Sequence, residues 1–418
     1  VNSQLDRSLL FIVIALITIG LMAVYSSTSV ITPDMIEKGE DKYSQFHYLK
    51  KQLLALLLGV VVMFAAYKVK LEFIRKMAVP LLILSLIVLL LVFTSLGITA
   101  NGARRWIRLF FFSFQPSELV KLAMIVFLAW YMSRESFKKD NIIYFLIPIL
   151  IMGVFQGIFL KQPDFGAAVS LAILTISMLL LGGARLAYIG GVSLIAMISL
   201  GALLADKSYR VKRLTAFLNP WDDPMGSGFQ LIQSYIALGS GGLTGVGPGE
   251  SKQKLLFLPE VHTDFIFSLI GEEAGFVAAL IIIFLFALLF YRGIIIAKGA
   301  SNNPFPYLMA AGITLMITIQ ALINFCVVTG LAPTKGLPLP FISYGGSSMI
   351  VNLIAVGLLL NVSKRQESPH ELERAQIHTK MSKYGTDKPA LQKQWHMGFG
   401  YNRCRQILRK RICERGLS

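Results

Sequence analysis

Long uninterrupted apolar runs dominate this chain and limit what it can fold into. Ten such blocks recur, roughly residues 8–30, 52–67, 77–98, 117–132, 142–160, 166–182, 184–205, 265–291, 307–328 and 341–362. Most approach the roughly 20 residues that a helix needs to cross the hydrocarbon core of a bilayer. In lipid, backbone N–H and C=O groups must be satisfied internally, so each block is expected to be a helix. A transmembrane barrel is excluded, because its strands alternate in polarity. Composition agrees: 55% of the 418 residues are hydrophobic and 15% charged, against roughly 25% charged in a soluble domain. A soluble enzyme, a disulfide-built secreted domain and a disordered chain are excluded on the same ground. The three cysteines, Cys326, Cys404 and Cys413, have no zinc-site or disulfide spacing. The expected fold is an all-α integral membrane protein, a bundle of ten transmembrane helices. Ser26, Ser27, Thr28 and Ser29 follow the first block where a signal peptide would carry a cleavage site, so that block reads as a retained span.

Ten crossings leave both termini on one side. Residues 364–418 hold 13 Lys+Arg against 5 Asp+Glu, and Lys68, Lys70, Arg75 and Lys76 crowd one short loop. Lys/Arg-rich segments stay cytoplasmic, so both termini are expected there. Residues 1–363 then form the membrane domain and 364–418 a basic cytoplasmic tail. The longest stretch between spans, 206–262, is a large extracytoplasmic loop between helices seven and eight. Loops 99–116, 161–165 and 329–340 share its face. This orientation puts Arg104, Arg105, Arg108, Arg210, Lys212, Arg213, Lys252 and Lys254 outside, against the usual rule. Either the loops vary incidentally or the outer face needs positive charge.

Five segments of that face carry polar chemistry. Asp264, closing Phe257-Leu-Pro-Glu-Val-His-Thr-Asp264, sits where the long loop meets the eighth span. It is either a helix cap, favoured by free N–H groups and the dipole, or a general base at the membrane surface. Glu260 and His262 either tune it and bind polar substrate groups or solvate the surface. Arg104, Arg105 and Arg108 flank Trp106, a set suited to clamping phosphate or stacking on a sugar, and equally to interfacial anchoring. Glu118 and Lys121 lie three apart on one helical face and are expected to pair inside the fourth span. Asp164, in Lys161-Gln-Pro-Asp-Phe-Gly166, caps the next helix or serves the site. The glycines from Gly239 to Gly249, followed by Lys252 and Lys254, let backbone N–H groups approach an anion or form a flexible lid. Lys335 is the one charge in a proline-rich turn leading to Ser343 and a run of small residues. Glu272, Glu273, Asn324 and Asn352 lie deep in apolar blocks and hint at an internal polar cleft.

Two of these stretches, Leu258-Pro-Glu-Val-His-Thr-Asp-Phe-Ile-Phe267 and Pro333-Thr-Lys-Gly-Leu-Pro-Leu-Pro-Phe-Ile-Ser-Tyr-Gly-Gly-Ser-Ser348, resemble the SEDS family (shape, elongation, division and sporulation) of bacterial cell-wall polymerases. The resemblance spans about Leu9 to Val362. The short spacing from Gly247 to Lys254 resembles the division branch more than the elongation branch and leaves the sporulation branch open. It implies a peptidoglycan glycosyltransferase of the bacterial inner membrane, polymerising lipid II at the division septum. It also implies a class B penicillin-binding protein and other divisome membrane proteins as partners. The family's proposed catalytic aspartate matches Asp264, its functionally important tryptophan Trp106, and its further acid and paired charges Asp164, Glu118 and Lys121. Nucleic acid is not an expected partner.

Lipid II makes three physical demands: a lipid-facing groove for the tail, positive charge for the pyrophosphate and a base for the sugar hydroxyl. The outer face offers all three. Arg104, Arg105, Arg210, Lys252, Lys254 and Lys335 are candidates for the pyrophosphate, with Trp106, Glu260, His262 and Ser343 as further substrate contacts. No cofactor is evident; a divalent cation could share the charge, although no dedicated ligand cluster is visible. The expected reaction is a single inverting displacement with Asp264 as base. Two other classes remain in view. One is a lipid II flippase with Glu118, Lys121, Glu272 and Glu273 along its path. The other is a scaffold whose residues 401–418 lie as an amphipathic helix on the anionic inner leaflet.

Overall fold

The computed structural model describes residues 6–27, 45–100, 103–109, 112–135, 137, 141–192, 194, 217–226, 228–253, 262–333 and 336–364. The tail beyond 364, most of the seventh apolar block, and Arg210, Lys254, Glu260 and Lys335 lie outside the described residues. The helices are α1 (Arg7–Ser27), α2 (Gln45–Lys68), α3 (Leu71–Lys76), α4 (Ala78–Leu91), α5 (Pro116–Met132), α6 (Ile142–Lys161), α7 (Phe165–Leu181), α8 (Phe229–Ser240), α9 (Ile266–Gly299), α10 (Pro304–Val328) and α11 (Gly346–Lys364). Among the described residues six helices, α1, α2, α6, α9, α10 and α11, are long and apolar enough to cross a membrane. Helices α4 and α7 are apolar but shorter. Helix α5, 17 residues long, stands where the fourth block was expected. The chain is therefore a mostly helical, multi-span protein.

Helix starts follow local chemistry. Asn141 accepts a hydrogen bond from the Ile143 N–H at the start of α6, Asp164 from Ala167 at α7, and Asn303 from Phe305 at α10. Each satisfies a donor that the first turn leaves orphaned. Proline enters α5 and α10 in the first turn, where its missing N–H costs nothing. Helix α5 forms the centre: nearly every residue from Pro116 to Met132 is buried, against α4, α7, α10 and α11. Helix α2 runs along α11. Gly357 permits this contact, since a Cβ there would fall 2.3 Å from the Met63 carbonyl oxygen. Leu57, Val61, Phe276 and Phe284 face outward, at 54–67% exposure, as lipid-facing side chains would.

The expectation of a wholly helical chain needs one correction. Residues within 97–114 form a three-stranded antiparallel sheet of β1 (Gly97–Ala100), β2 (Ala103–Leu109) and β3 (Phe112–Phe114), in the order β1-β2-β3. Along β2 the alternation is short but real, with Ala103 and Ile107 buried and Arg108 exposed. The dipeptide between β1 and β2, Asn101-Gly102, is a strong hairpin signal. The register pairs Ile98 with Trp106 and Thr99 with Arg104, so Arg105 is the extra residue of a β-bulge.

Helix α9 is also not continuous. Gly275 has φ 76° and ψ −175° inside it, a conformation essentially confined to glycine. The break separates a short half-helix, which follows Asp264, from the long span beyond.

Candidate functional site

Asp264 lies half-buried, one residue ahead of the N-cap Phe265 of α9. Its place is set from α10. The buried Asn324 side chain donates from Nδ2 to the Asp264 carbonyl at 2.8 Å and to the Leu337 carbonyl at 2.9 Å. One amide thus ties the acid's backbone to the turn that precedes α11. Gly336 of that turn lies against the acid, for a Cβ there would stand 3.0 Å from Asp264 Oδ2. One helical turn earlier on α10, Gln320 Nε2 donates to the Pro338 carbonyl at 2.9 Å.

The same Gln320 reaches the expected ion pair. Lys121 Nζ donates to Glu118 Oε1 at 2.8 Å and to Gln320 Oε1 at 2.6 Å, and both charged residues are 2% exposed. Each charge is therefore paired in the interior, as charges in lipid must be. Glu118, Lys121, Gln320 and Pro338 form a buried polar line that ends on the turn facing Asp264.

A second line arrives from the β-sheet. The bulge re-aims Arg105, which donates from Nε to the Gln162 carbonyl at 3.4 Å and from Nη2 to the Pro163 carbonyl. Asp164 follows directly. Besides capping α7 at 3.1 Å, it accepts from Gln115 Nε2 at 3.3 Å. Gly166, two residues on, packs on Leu337, for a Cβ there would stand 3.1 Å from Leu337 Cγ. Arg104 donates to the carbonyls of Gly97, Phe93 and Thr94. Trp106, between Arg105 and the buried Ile107, is half-buried.

The His262 ring packs against Tyr48 (centroids 4.8 Å) and Tyr344 (5.7 Å), and the two tyrosines meet edge-on at 5.1 Å. The Tyr344 N–H donates to the His262 carbonyl at 2.9 Å. Burial pushes the Tyr344 phenol up to about 12, and Tyr48 pushes the same way. Ser343 is buried, and its Oγ accepts from the Leu339 N–H at 2.8 Å. Phe341 between them has φ 65°, a strained value for a bulky residue. Gly20 of α1 lies against this point, since a Cβ there would be 2.6 Å from Ile342 Cα. From α2, Gln52 donates to the Ser343 carbonyl at 3.3 Å and accepts from the Gly345 N–H at 3.2 Å.

The structure thus brings together Asp264, His262, Ser343, Asp164, Arg105, Glu118 and Lys121 around one turn, residues 336–345. Lys252 is exposed, with its backbone N–H on Glu272 Oε1 at 3.0 Å. The sequence reading missed Gln52, Gln320 and Tyr48 as parts of this assembly. Gln320 and Asn324, four apart on α10, were the one available signal. Among the described residues no group of three or more His, Cys, Asp or Glu gathers as a metal cluster. A groove of about 510 Å³ lined by Arg7, Phe11, Leu288 and Arg292 lies near the far end of α9 from Asp264 and is separate from this assembly.

Comparison with known proteins fits this arrangement of motifs. The family model of FtsW, RodA and SpoVE, described as "Cell cycle protein", matches residues 7–368. The chain belongs to the FtsW/RodA/SpoVE family. Among relatives, a "Probable peptidoglycan glycosyltransferase FtsW" of Geobacter sp. (strain M18) is 44% identical over 362 residues, 86% of this chain and 97% of its own. "Stage V sporulation protein E" of Bacillus subtilis (strain 168) is 43% identical over 365 residues, with 86% and 97% covered. A solved chain is described as "Structural coordination of polymerization and crosslinking by a peptidoglycan synthase complex". It matches with a TM-score of 0.71 at 30% identity, covering 87% of this chain and 99% of its own. The FtsW/RodA/SpoVE match takes in every described element named above, from α1 to α11.

Proposed function

We propose that this chain is a peptidoglycan glycosyltransferase that polymerises lipid II into glycan strands during cell division. The observation that carries the reading is the clamp on Asp264: one buried amide, Asn324, fixes both the acid and the turn opposite it. A general base must be held in place and reach its proton, and a half-buried carboxylate at a helix start meets the first demand while staying accessible. The names of the relatives support the same chemistry.

In this mechanism Asp264 takes the proton from the 4-hydroxyl of the acceptor sugar. That oxygen attacks the anomeric carbon of the donor chain, the bond to polyprenyl pyrophosphate breaks, and the anomeric centre inverts. Charge grows on the leaving pyrophosphate, so cations beside it act in the transition state. Arg104 and Arg105 hold backbone carbonyls, so their first role is to shape the outer loops. Lys252 presents an exposed ammonium, and Arg210, Lys254 and Lys335 remain candidates for the same charge. Trp106 and His262 border the sugar path, and Glu260 remains a candidate substrate contact. The turn-bound Ser343 and the cap Asp164 shape it, and the Glu118–Lys121 pair supports it from below.

The proposal includes ten spans with both termini cytoplasmic and Asp264 on the extracytoplasmic side at the septum. It includes a class B penicillin-binding protein and other divisome membrane proteins as partners. Purified chain with that partner and lipid II should give gel-resolved glycan ladders. Asp264→Asn should lower the rate by about 10²–10⁴-fold, the usual contribution of a general base. A ladder from Asp264→Asn at the unaltered rate removes the base. One observation favours the flippase alternative: transporters place broken helices and buried acids at their sites, and α9 breaks at Gly275 beside the buried Glu272 and Glu273. Liposomes containing the chain alone separate the readings, since lipid II crossing without polymer would favour transport.

A further inference from the structure

Glu272 and Glu273 end the short half-helix of α9, and the polymerisation chemistry above leaves both unused. They are 2% and 7% exposed. Glu273 accepts from Ser26 Oγ of α1 on both oxygens, at 2.7 and 2.6 Å. Glu272 serves a different segment. Its Oε1 accepts from the Lys252 N–H at 3.0 Å and its Oε2 from the buried Ser251 hydroxyl.

Backbone bonds extend that grip. In a continuous helix the carbonyls of Glu272 and Glu273 would accept from the N–H groups of Phe276 and Val277, four residues on. The break at Gly275 separates these partners, and the glycine-rich loop takes up both halves. Val246 and Gly247 donate to the Glu272 and Glu273 carbonyls at 3.0 and 3.1 Å. Phe276 and Val277 donate to the Gly242 and Leu243 carbonyls at 3.0 and 3.2 Å. The fit is tight, since a Cβ on Gly245 would fall 2.1 Å from the Glu273 carbonyl oxygen. These four groups freed by the break are thereby satisfied, as the apolar setting demands. The loop that precedes Lys252 is therefore a docked part of the half-helix and not a free lid.

We propose that Glu272 is a positioning residue, holding the Ser251–Lys252 segment in register on the same half-helix whose N-terminal end carries Asp264. This role presupposes Asp264 as base and Lys252 as a pyrophosphate contact. Seven residues of helix, Ile266 to Glu272, separate the two ends, about 10 Å at 1.5 Å per residue. The acceptor hydroxyl and the leaving pyrophosphate stand on opposite sides of one reacting carbon. A base and a cation serving them must keep a constant spacing, and small misplacements are costly. A lysine on an unanchored glycine loop would not keep that spacing. A buried carboxylate gripping its backbone does, and leaves the ammonium exposed.

The test is a double-mutant cycle on the full chain with its crosslinking partner, reading initial polymerisation rates against lipid II concentration. Glu272→Ala and Lys252→Gln should each lower kcat/KM by roughly 10–100-fold. If Glu272 acts through Lys252, the double variant should fall less than about threefold below Lys252→Gln alone. Glu272→Gln keeps an oxygen for the Lys252 N–H and should recover most of the loss. Losses that multiply overturn the proposal, as does an unchanged rate for Glu272→Ala. Where Glu272→Ala yields no folded protein, Ser251→Ala takes its place in the cycle with the same two outcomes. Asp264→Asn, assayed in parallel, keeps the premises apart. Full activity there removes the base but leaves the Glu272–Lys252 coupling measurable; loss there with multiplicative effects removes only the coupling.

Discussion

Asp264 takes its position from an uncharged neighbour. Asn324 spends both amide protons on carbonyls, one of Asp264 itself and one of Leu337. Replacing it with leucine keeps the bulk, removes the donor to both carbonyls and leaves the buried Leu337 acceptor without it, at about 1–3 kcal/mol. Asn324→Leu should therefore reduce polymerisation by about 10–100-fold through misplacement of the base, with a lowered melting temperature in the same preparation. Tyr344 makes a different statement. Its phenol is raised from 10.0 to about 12, first by burial and then by Tyr48. The unfolded chain ionises first, so this group's stabilisation is complete below pH 10 and is lost as pH rises toward 12. Melting followed from pH 8 to 12 should show that fall, and Tyr344→Phe should flatten it. Sequence exposed Asp264, Asp164, Glu118 and Lys121 because charges are scarce among apolar blocks. It hid Gln52, Gln320 and Tyr48, since their partners lie on turns remote in the chain and no spacing encodes such contacts.

Among the elements, α5 is where the interior electrostatics concentrate. The Glu118–Lys121 pair is buried, and Gln320 supplies the third partner. Removing one member should cost far more than removing both. Lys121→Met leaves a buried carboxylate uncompensated, at about 3–5 kcal/mol, whereas Glu118→Gln with Lys121→Met should be close to neutral for folding. Thermal unfolding of the single and double variants in the same nanodiscs checks the asymmetry. If the pair serves only to hold the turn, the double variant should also keep most of its activity. That pair was readable from an i, i+3 spacing. The sheet of β1, β2 and β3 was not legible in the sequence, because three of the seven residues of β2 are arginine and the apolar positions that mark one buried face are only Ala103 and Ile107. The break in α9 was equally hidden. A lone glycine in an apolar run costs a helix about 1 kcal/mol and often leaves it intact, so Gly275 gave no warning.

At the scale of the whole molecule, apolar blocks foretold a multi-span helical protein, and the long helices α1, α2, α6, α9, α10 and α11 each overlap one of them, whereas α3 and α8 fall between blocks. Helix length alone did not convert every block into a full crossing: α4, α5 and α7 span 14, 17 and 17 residues. The short α5 can reside in a bundle because its neighbours, more than lipid, surround it. Among the described residues, the contacts seen to place Asp264 come from Asn324 and from the turn at Gly336 and Leu337, all ahead of Lys364. A chain ended after Lys364 should therefore polymerise lipid II at the full rate with purified partner, and any defect should appear only in recruitment to the septum. Equal polymer from the shortened and full chains, compared in one gel, is the expected result.

The exchange of backbone bonds across Gly275 has a consequence for how such chains vary in length. Donors at 246 and 247 and acceptors at 242 and 243 must match fixed counterparts on α9. The glycine run thus acts as a ruler: one residue inserted between 242 and 247 would put the rungs on one side of it out of phase with those on the other, whatever its side chain. By these bonds, lengthening is tolerable only outside residues 242–247. A stretch that looks like the natural place for an epitope or a fluorophore is instead among the least extensible parts of the protein.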